Sequence, residues 1–210
     1  MSNGELCCPR CGLRVRPPGA RSGDWRCRSH GAVAPLRLHA PIEPGQLAGL
    51  RAASDAPVWL PWPLPPEWAV TGVALAGDPT RPACASALAL TGAAPLGGIA
   101  EVVLVAEEIG TGLGAGYAAL DKADAGELPA RAPDASVRIE GHAAPLWLLP
   151  TTADRCCYVG EARGCWLWIV LWPAEAGVLL LEDLVLHDLL DMPAALMPAG
   201  PASPYLRPGR

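Results

Sequence analysis

Two pairs of metal-ligand residues near the N-terminus constrain the fold of this chain more than any other feature. The first pair, Cys8 and Cys11, stands in a CPRCG sequence, and fifteen residues separate it from the second pair, Cys27 and His30. A spacing of two residues lets both side chains of a tight turn reach one ion, and the gap is long enough for a β-hairpin that brings the two turns together. The pattern predicts a zinc ribbon in which these four residues bind a structural Zn²⁺ ion tetrahedrally.

Cys7 leaves one ambiguity in this ligand set, because it is adjacent to Cys8 and could compete with it, although the CPRCG frame favours Cys8. Metal binding would supply folding free energy on the order of 10 kcal/mol, which so small a unit cannot readily obtain from its own core. The chain has eight cysteines, too few for a disulfide scaffold, and no apolar run of signal-peptide length at the N-terminus. We therefore expect a cytoplasmic protein that does not span a membrane.

Length and composition leave room for one further domain. The chain has 210 residues, of which 51% are hydrophobic, so a packed core is expected, and its 24 prolines and 23 glycines favour short elements joined by many turns. Shifts in composition predict four units, which are a zinc ribbon at 1–38, a linker at 39–57, the main domain at 58–191 and a proline-rich tail at 192–210.

Short apolar runs bounded by glycine or proline predict mostly strands in the main domain. Ser136–Glu140 alternates apolar and polar residues, as a half-buried strand does, and Glu101–Ala106 is a continuous β-branched run typical of a central strand. Two segments fit helices: Gly114–Leu120 is rich in small residues, and in Val178–Leu190 the polar positions recur at helical spacing. The predicted fold class is α+β, with a zinc ribbon followed by a mainly antiparallel sheet and a few short helices.

Charge is distributed unevenly along the chain. Residues 1–51 contain eight arginines and three acidic residues, so they carry a net charge of +5, and the remainder carries −10. A basic ribbon could contact nucleic acid, whereas the simpler interpretation is that it docks on its own acidic main domain or on a protein partner.

Four longer motifs point to a family. The chain contains CPRCG followed by WRC and HG, then PVWLPWPLPPEWAVTGVALAGD, LVAEEIGTGLGAGYAALD and GEARGCWLWIVLWP. Over residues 7 to about 191 it resembles an uncharacterised actinobacterial protein family. The resemblance implies a zinc ribbon followed by a domain of unknown function. Some members are automatically labelled phosphotransacetylase, which implies acyl or phosphoryl transfer as an alternative activity.

The main domain offers three candidate ligand surfaces. Gly110 and Gly112 belong to a G-x-G-x-x-A loop directly after a predicted strand, which could bring backbone amides to a phosphate or could be a tightly packed turn. Glu161 and Arg163 would share a face on a strand, where they could form an ion pair or bind a polar ligand. Trp59 and Trp62 stand among prolines and could line a groove or fill the core.

These observations favour a non-enzymatic binding or scaffold protein built on a structural metal site. The first alternative is an enzyme, with a transferase site in residues 58–191 around Glu161, Arg163 and the loop at 110–116. The second alternative is a nucleic-acid-associated regulator that uses the basic ribbon. A pocket formed by Glu161, Arg163 and His142 would favour the enzyme, and an exposed basic face unopposed by acidic residues would favour nucleic acid.

Overall fold

The structure is a computed structural model, and it describes six stretches of the chain, which are residues 5–19, 22–40, 42, 47–128, 130–192 and 198–209. Parts of three predicted regions lie outside the described residues. These are positions 41 and 43–46 of the linker, positions 193–197 and 210 of the tail, and Arg21 of the basic region. The strands are β1 Arg26–Cys27, β2 Gly31–Ala32, β3 Leu36–His39, β4 Trp59–Pro61, β5 Ala69–Ala76, β6 Ala85–Ala93, β7 Ile99–Glu107, β8 Ala135–Ile139, β9 His142–Leu149, β10 Cys156–Ala162, β11 Cys165–Trp172 and β12 Val185–Asp188. The helices are α1 Leu47–Ala53, α2 Leu113–Tyr117 and two 3₁₀ segments, Ala174–Leu181 and Leu189–Asp191.

Ten of these strands form one sheet in the order β3-β5-β6-β7-β11-β10-β9-β8-β12-β4, and β1 and β2 form a separate hairpin. The pairs of the large sheet are antiparallel except that β12 runs parallel to β8. The prediction of an α+β fold with a mainly antiparallel sheet and short helices is confirmed. β4, at the end of the order, also contacts β6 and β7, so the sheet curls around its own core.

Both faces of the central strands are buried, which explains their continuous apolar sequences. β7, which contains the predicted strand at 101–106, pairs with β6 on one side and β11 on the other. Its Leu104 packs inside the curl, whereas Val103 packs on the outer face under α2 and the C-terminal segment. On β11, Ile169 faces inward and Trp168 outward. The strand at 136–140 is also confirmed as β8, with Val137 and Ile139 buried between exposed neighbours.

The predicted helix at 178–190 is wrong. A 3₁₀ segment ends at Leu181, and β12 begins four residues later between β4 and β8. Leu186 on β12 is buried in the inner core. Helical spacing of polar residues was a local signal, and pairing with two strands distant in sequence overrides it. The helix expected at 114–120 is present as the shorter α2.

The two ends of the chain pack on the outer face of the sheet. β3, at the end of the predicted ribbon, pairs with β5. In the C-terminal segment, the ring of Tyr205 stacks on Trp172 with centroids 4.6 Å apart, and Leu206 is buried in the outer core. The Tyr117 hydroxyl donates a hydrogen bond of 2.6 Å to the Leu206 carbonyl. The division into four units stays a prediction, but these contacts join β3 and residues 205–206 to the sheet.

Candidate metal centre

Two tight turns present the predicted ligands. The first turn contains Cys8 and Cys11 and is closed by hydrogen bonds from the Gly12 N–H to the Cys8 carbonyl, 2.9 Å, and from the Cys8 N–H to the Leu13 carbonyl, 2.7 Å. Gly12 has a positive φ of 65°, a conformation that glycine adopts without strain. The second turn joins β1 to β2. Cys27 is the last residue of β1, and His30 is the last residue of the turn before β2 begins at Gly31.

The ligand atoms of Cys8, Cys11, Cys27 and His30 all lie within 4.8 Å of one another. The Cys11 and Cys27 Sγ atoms are 3.7 Å apart, and the His30 Nδ1 atom is 3.4 Å from Cys8 Sγ and 3.7 Å from Cys27 Sγ. With Zn–S bonds near 2.3 Å and a Zn–N bond near 2.0 Å, a tetrahedral zinc ion requires separations of about 3.8 Å between sulfurs and about 3.5 Å between sulfur and nitrogen. The four residues therefore lie close enough to bind one metal ion.

The protonation of the cysteine and histidine side chains of this cluster bears on how they would bind a metal ion. Burial raises the pKa of the Cys8 thiol to about 12. Burial also acts to raise the pKa of Cys27, but the backbone N–H groups of Ser29 and His30 outweigh it, and the pKa is lowered. Burial and the nearby Arg10 guanidinium lower the pKa of His30, so the imidazole is neutral near pH 7 and has a lone pair available. Binding of a metal would displace the remaining thiol protons.

Cys7 lies outside this cluster. Its side chain is fully buried in the outer core, where Sγ lies 3.7 Å from the Leu36 carbonyl oxygen. Its backbone pairs with Leu36 in both directions, by hydrogen bonds of 3.0 and 2.8 Å. Alternation along an extended chain therefore turns Cys7 towards the sheet and Cys8 towards the ribbon.

The first ligand turn is packed tightly between α2 and the C-terminal segment. A Cβ atom on Gly116 of α2 would lie 2.3 Å from the Pro9 carbonyl oxygen, and one on Gly209 would lie 2.6 Å from the Cys11 carbonyl oxygen. The Arg10 guanidinium donates a hydrogen bond to the Asp121 carbonyl. Glycine at these positions allows the backbones to approach, so the position of the metal turn is coupled to the main domain.

The glycine loop at 110–112 is closed by a side chain of its own strand. Both carboxylate oxygens of Glu107 accept backbone hydrogen bonds at the start of α2, from Leu113 at 2.6 Å and from Gly114 at 3.2 Å. Glu107 is almost completely buried. The amide groups at the start of α2 that could bind a phosphate are therefore already occupied by a carboxylate. Gly110 and Gly112 both have positive φ values, and of the two Gly112 is buried whereas Gly110 is exposed.

Arg163 and Glu161 do not form the pair that strand spacing suggested. Arg163 lies in the β10–β11 turn with a positive φ of 51°, whereas Glu161 is exposed on β10. The Arg163 guanidinium forms ion pairs with Glu140 and, at 3.5 Å, with Asp188, and it lies 5.6 Å from the centre of the Trp59 ring.

The two tryptophan candidates belong to the inner core. Trp59 on β4 is fully buried, and Trp62 is partly buried against the same core. Their rings therefore fill space inside the curled sheet. The core interpretation of this proline-rich stretch fits the structure better than the groove interpretation.

Comparison with known proteins identifies the family. The model of one family, described as a family of unknown function (DUF6758), matches residues 2–206. The chain belongs to this family. Searches of curated proteins and of solved structures find no match. The expected membership in a family of unknown function is thus supported, while acyl or phosphoryl transfer stays a prediction.

In this DUF6758 chain a cleft of about 500 Å³ separates the ribbon from the main domain. His30, Arg10 and Trp25 line its ribbon side, and Asp78 and Thr111 line the opposite side.

Among the described residues no helix is long and apolar enough to cross a membrane. Sequence reasoning missed Gly116 and Gly209 as supports of the metal turn, because only the fold brings them to it.

Glu107 provides a test of the closed glycine loop. Burial raises the pKa of Glu107 to about 7, against the opposing effect of the Leu113 and Gly114 N–H groups. At about pH 5 we expect Glu107→Gln to lower the free energy of unfolding by about 1–3 kcal/mol, because the amide NH2 group would face one of the two N–H donors, whereas both oxygens of a carboxyl group, protonated or ionised, have lone pairs that accept. Denaturant unfolding measures this, with the exposed neighbour Glu108→Gln as control.

The contribution of Glu107 to the free energy of unfolding should change with pH in a definite direction. Since the folded pKa of Glu107 lies above the ordinary value of 4.5, its contribution to stability is complete at low pH and is lost as pH rises through about 7. The stability advantage of the natural protein over Glu107→Gln should therefore shrink as pH rises. A difference that does not change with pH, or equal stability of the two glutamine variants, would contradict this role of Glu107.

Proposed function

We propose that Cys8, Cys11, Cys27 and His30 bind one Zn²⁺ ion and that the chain is a cytoplasmic binding protein, not an enzyme. The observation that carries the proposal is the separation of the ligand atoms, 3.4–3.7 Å for three of the six pairs, which is close to the spacing of a tetrahedral zinc site. Three thiolates and one imidazole complete the coordination of zinc and leave no position for a substrate or a reactive water. The ion then has a structural role.

The proposed role in partner binding rests on the part of the chain that the ion stabilises, which is the ribbon. Apart from the ligands, the ribbon has a small core around Val15, with Leu6, Trp25 and Val33 packed against it. Metal binding of this type contributes about 10 kcal/mol or more, enough to order such a unit. An ordered ribbon held on the sheet presents a rigid exposed surface, and this surface is the part of the chain that we assign to partner binding.

Metal analysis of the purified chain tests the proposal. We expect one zinc per chain, and after replacement of zinc by Co²⁺ we expect the visible absorption of a tetrahedral site with thiolate ligands. Cys8→Ser combined with Cys27→Ser should abolish both signals. Cys7→Ala is the matched control, because Cys7 adjoins a ligand but packs in the sheet core, and it should keep one zinc. Absence of stoichiometric zinc, or zinc retained by the double serine variant, would refute the proposal.

A further inference from the structure

Four arginines share the outward surface of the ribbon hairpin. Arg14 and Arg16 flank the buried Val15, and Arg26 and Arg28 flank the buried Cys27. Side chains alternate between the two sides of an extended chain, so burial of Val15 turns Arg14 and Arg16 outward, and Arg26, which pairs with Arg16, lies on the same face. Arg28 follows in the turn after β1 and lines the same groove as Arg16 and Arg26. All four are exposed. We call this set the arginine face.

The two chains of the arginine face are hydrogen-bonded side by side. The Arg16 N–H donates to the Arg26 carbonyl at 2.9 Å, and the Arg26 N–H donates to the Arg16 carbonyl at 3.0 Å. Like charges directly opposite each other destabilise a strand pair. The arrangement therefore has an electrostatic cost unless an anion lies over it.

No acidic residue in the described part of the chain forms an ion pair with the arginine face. Asp24 lines the same shallow groove of about 560 Å³, but its carboxylate accepts a hydrogen bond of 3.4 Å from the Ser22 hydroxyl, and its backbone N–H donates to Ser22 Oγ at 3.2 Å. Arginines elsewhere do pair with carboxylates, and these are Arg51, Arg131, Arg155, Arg163 and Arg207. The positive charge is thus left available on one surface of a chain whose net charge is −5.

We propose that the arginine face binds the phosphate backbone of duplex DNA without reading its sequence. The inference rests on the proposed function, because the bound zinc ion holds the hairpin that carries the four arginines. Guanidinium groups suit phosphate because they donate two parallel hydrogen bonds and stay charged. Contacts to phosphates position a protein on the backbone and do not distinguish bases.

Other anionic partners fit the arginine face less well. Binding of single strands relies on aromatic side chains on which bases stack, and the tryptophan of the ribbon, Trp25, lies in the cleft beside Asp78 instead. Recognition of duplex RNA spans about 16 base pairs across two minor grooves, which exceeds a face two strands wide. An acidic peptide would bring charges at variable spacing, whereas duplex DNA carries one charge per about 1.7 Å of its axis.

Salt dependence of DNA binding tests the inference. Fluorescence anisotropy of a short labelled duplex is measured with the zinc-loaded chain. If four phosphates are neutralised, the slope of log K against log salt is about −3.6, and affinity falls about 150-fold between about 50 and about 200 mM salt. Arg16→Gln with Arg26→Gln should halve this slope to about −1.8, which corresponds to a fall of about 12-fold.

A matched variant elsewhere on the surface controls for general charge effects. Arg81→Gln with Arg138→Gln removes two exposed arginines of the main domain and should keep the natural slope. Equal slopes for the natural chain and the Arg16–Arg26 variant would overturn the inference, and so would equally tight binding of a polyglutamate peptide or of duplex RNA. Zinc content is measured for every sample, so failure to bind DNA at one zinc per chain refutes this inference alone, whereas absence of zinc in the natural chain refutes the proposed function.

Discussion

Replacing both Cys8 and Cys27 by serine should unfold the N-terminal ribbon while the large sheet stays folded. The buried cluster of the ribbon consists of Cys8, Val15 and Cys27, so two of its three members are metal ligands. Without the ion this unit loses folding free energy on the order of 10 kcal/mol and cannot replace it by burial of apolar surface. The sheet has two extensive cores of its own.

Hydrogen exchange measured by segment distinguishes these two regions. We expect amide protection to fall at least about 100-fold in the ribbon up to β2 and to change little in β7 and β11, which lie at the centre of the sheet. A strong chelator should reproduce the pattern in the natural chain, and added zinc should reverse it. Cys84→Ser with Cys165→Ser, which changes two cysteines outside the cluster, should preserve ribbon protection. Unchanged protection in the Cys8–Cys27 variant would contradict a structural role for the metal.

The second large effect is expected from Gly116→Ala. The added Cβ would lie 2.3 Å from the Pro9 carbonyl oxygen and 2.8 Å from the Arg10 Cα atom, both in the backbone of the first ligand turn. The C-terminal segment packs against that turn from another side, so α2 and the turn must separate. Overpacking of this kind costs about 1–3 kcal/mol, against a gain of about 1 kcal/mol from alanine in a helix. We expect a net loss of up to about 2 kcal/mol.

Gly49→Ala in α1 is the matched control for this substitution. Gly49 is also helical, and a Cβ there would meet no atom within 4 Å. It should leave stability unchanged or raise it by up to about 1 kcal/mol. Denaturant midpoints compared at constant slope give both values. Equal stability of the two alanine variants would show that the approach of the metal turn to α2 does not contribute to the fold.

Local patterns correctly predicted that four metal-binding side chains lie together, and they predicted several strands, because the physical cause of both is local. Cys8, Cys11, Cys27 and His30 meet because each pair spans one tight turn, and β8 alternates because one of its faces is buried. The continuous apolar run of β7 likewise indicated burial on both faces. The same reasoning failed at 178–190, where helical spacing competed with two strands, β4 and β8, that are distant in sequence.

The sequence by itself determined which four residues can bind a metal, that the sheet is mainly antiparallel, and that the ribbon is basic. Only the tertiary structure decided which contacts the charged side chains make. It placed the Glu107 carboxylate on the amides at the start of α2, paired Arg163 with Glu140 and Asp188, and left the arginine face without an ion pair to any described residue. Such outcomes depend on contacts between residues far apart in the chain, whose geometry is set by strand order and packing, and neither is encoded in local periodicity.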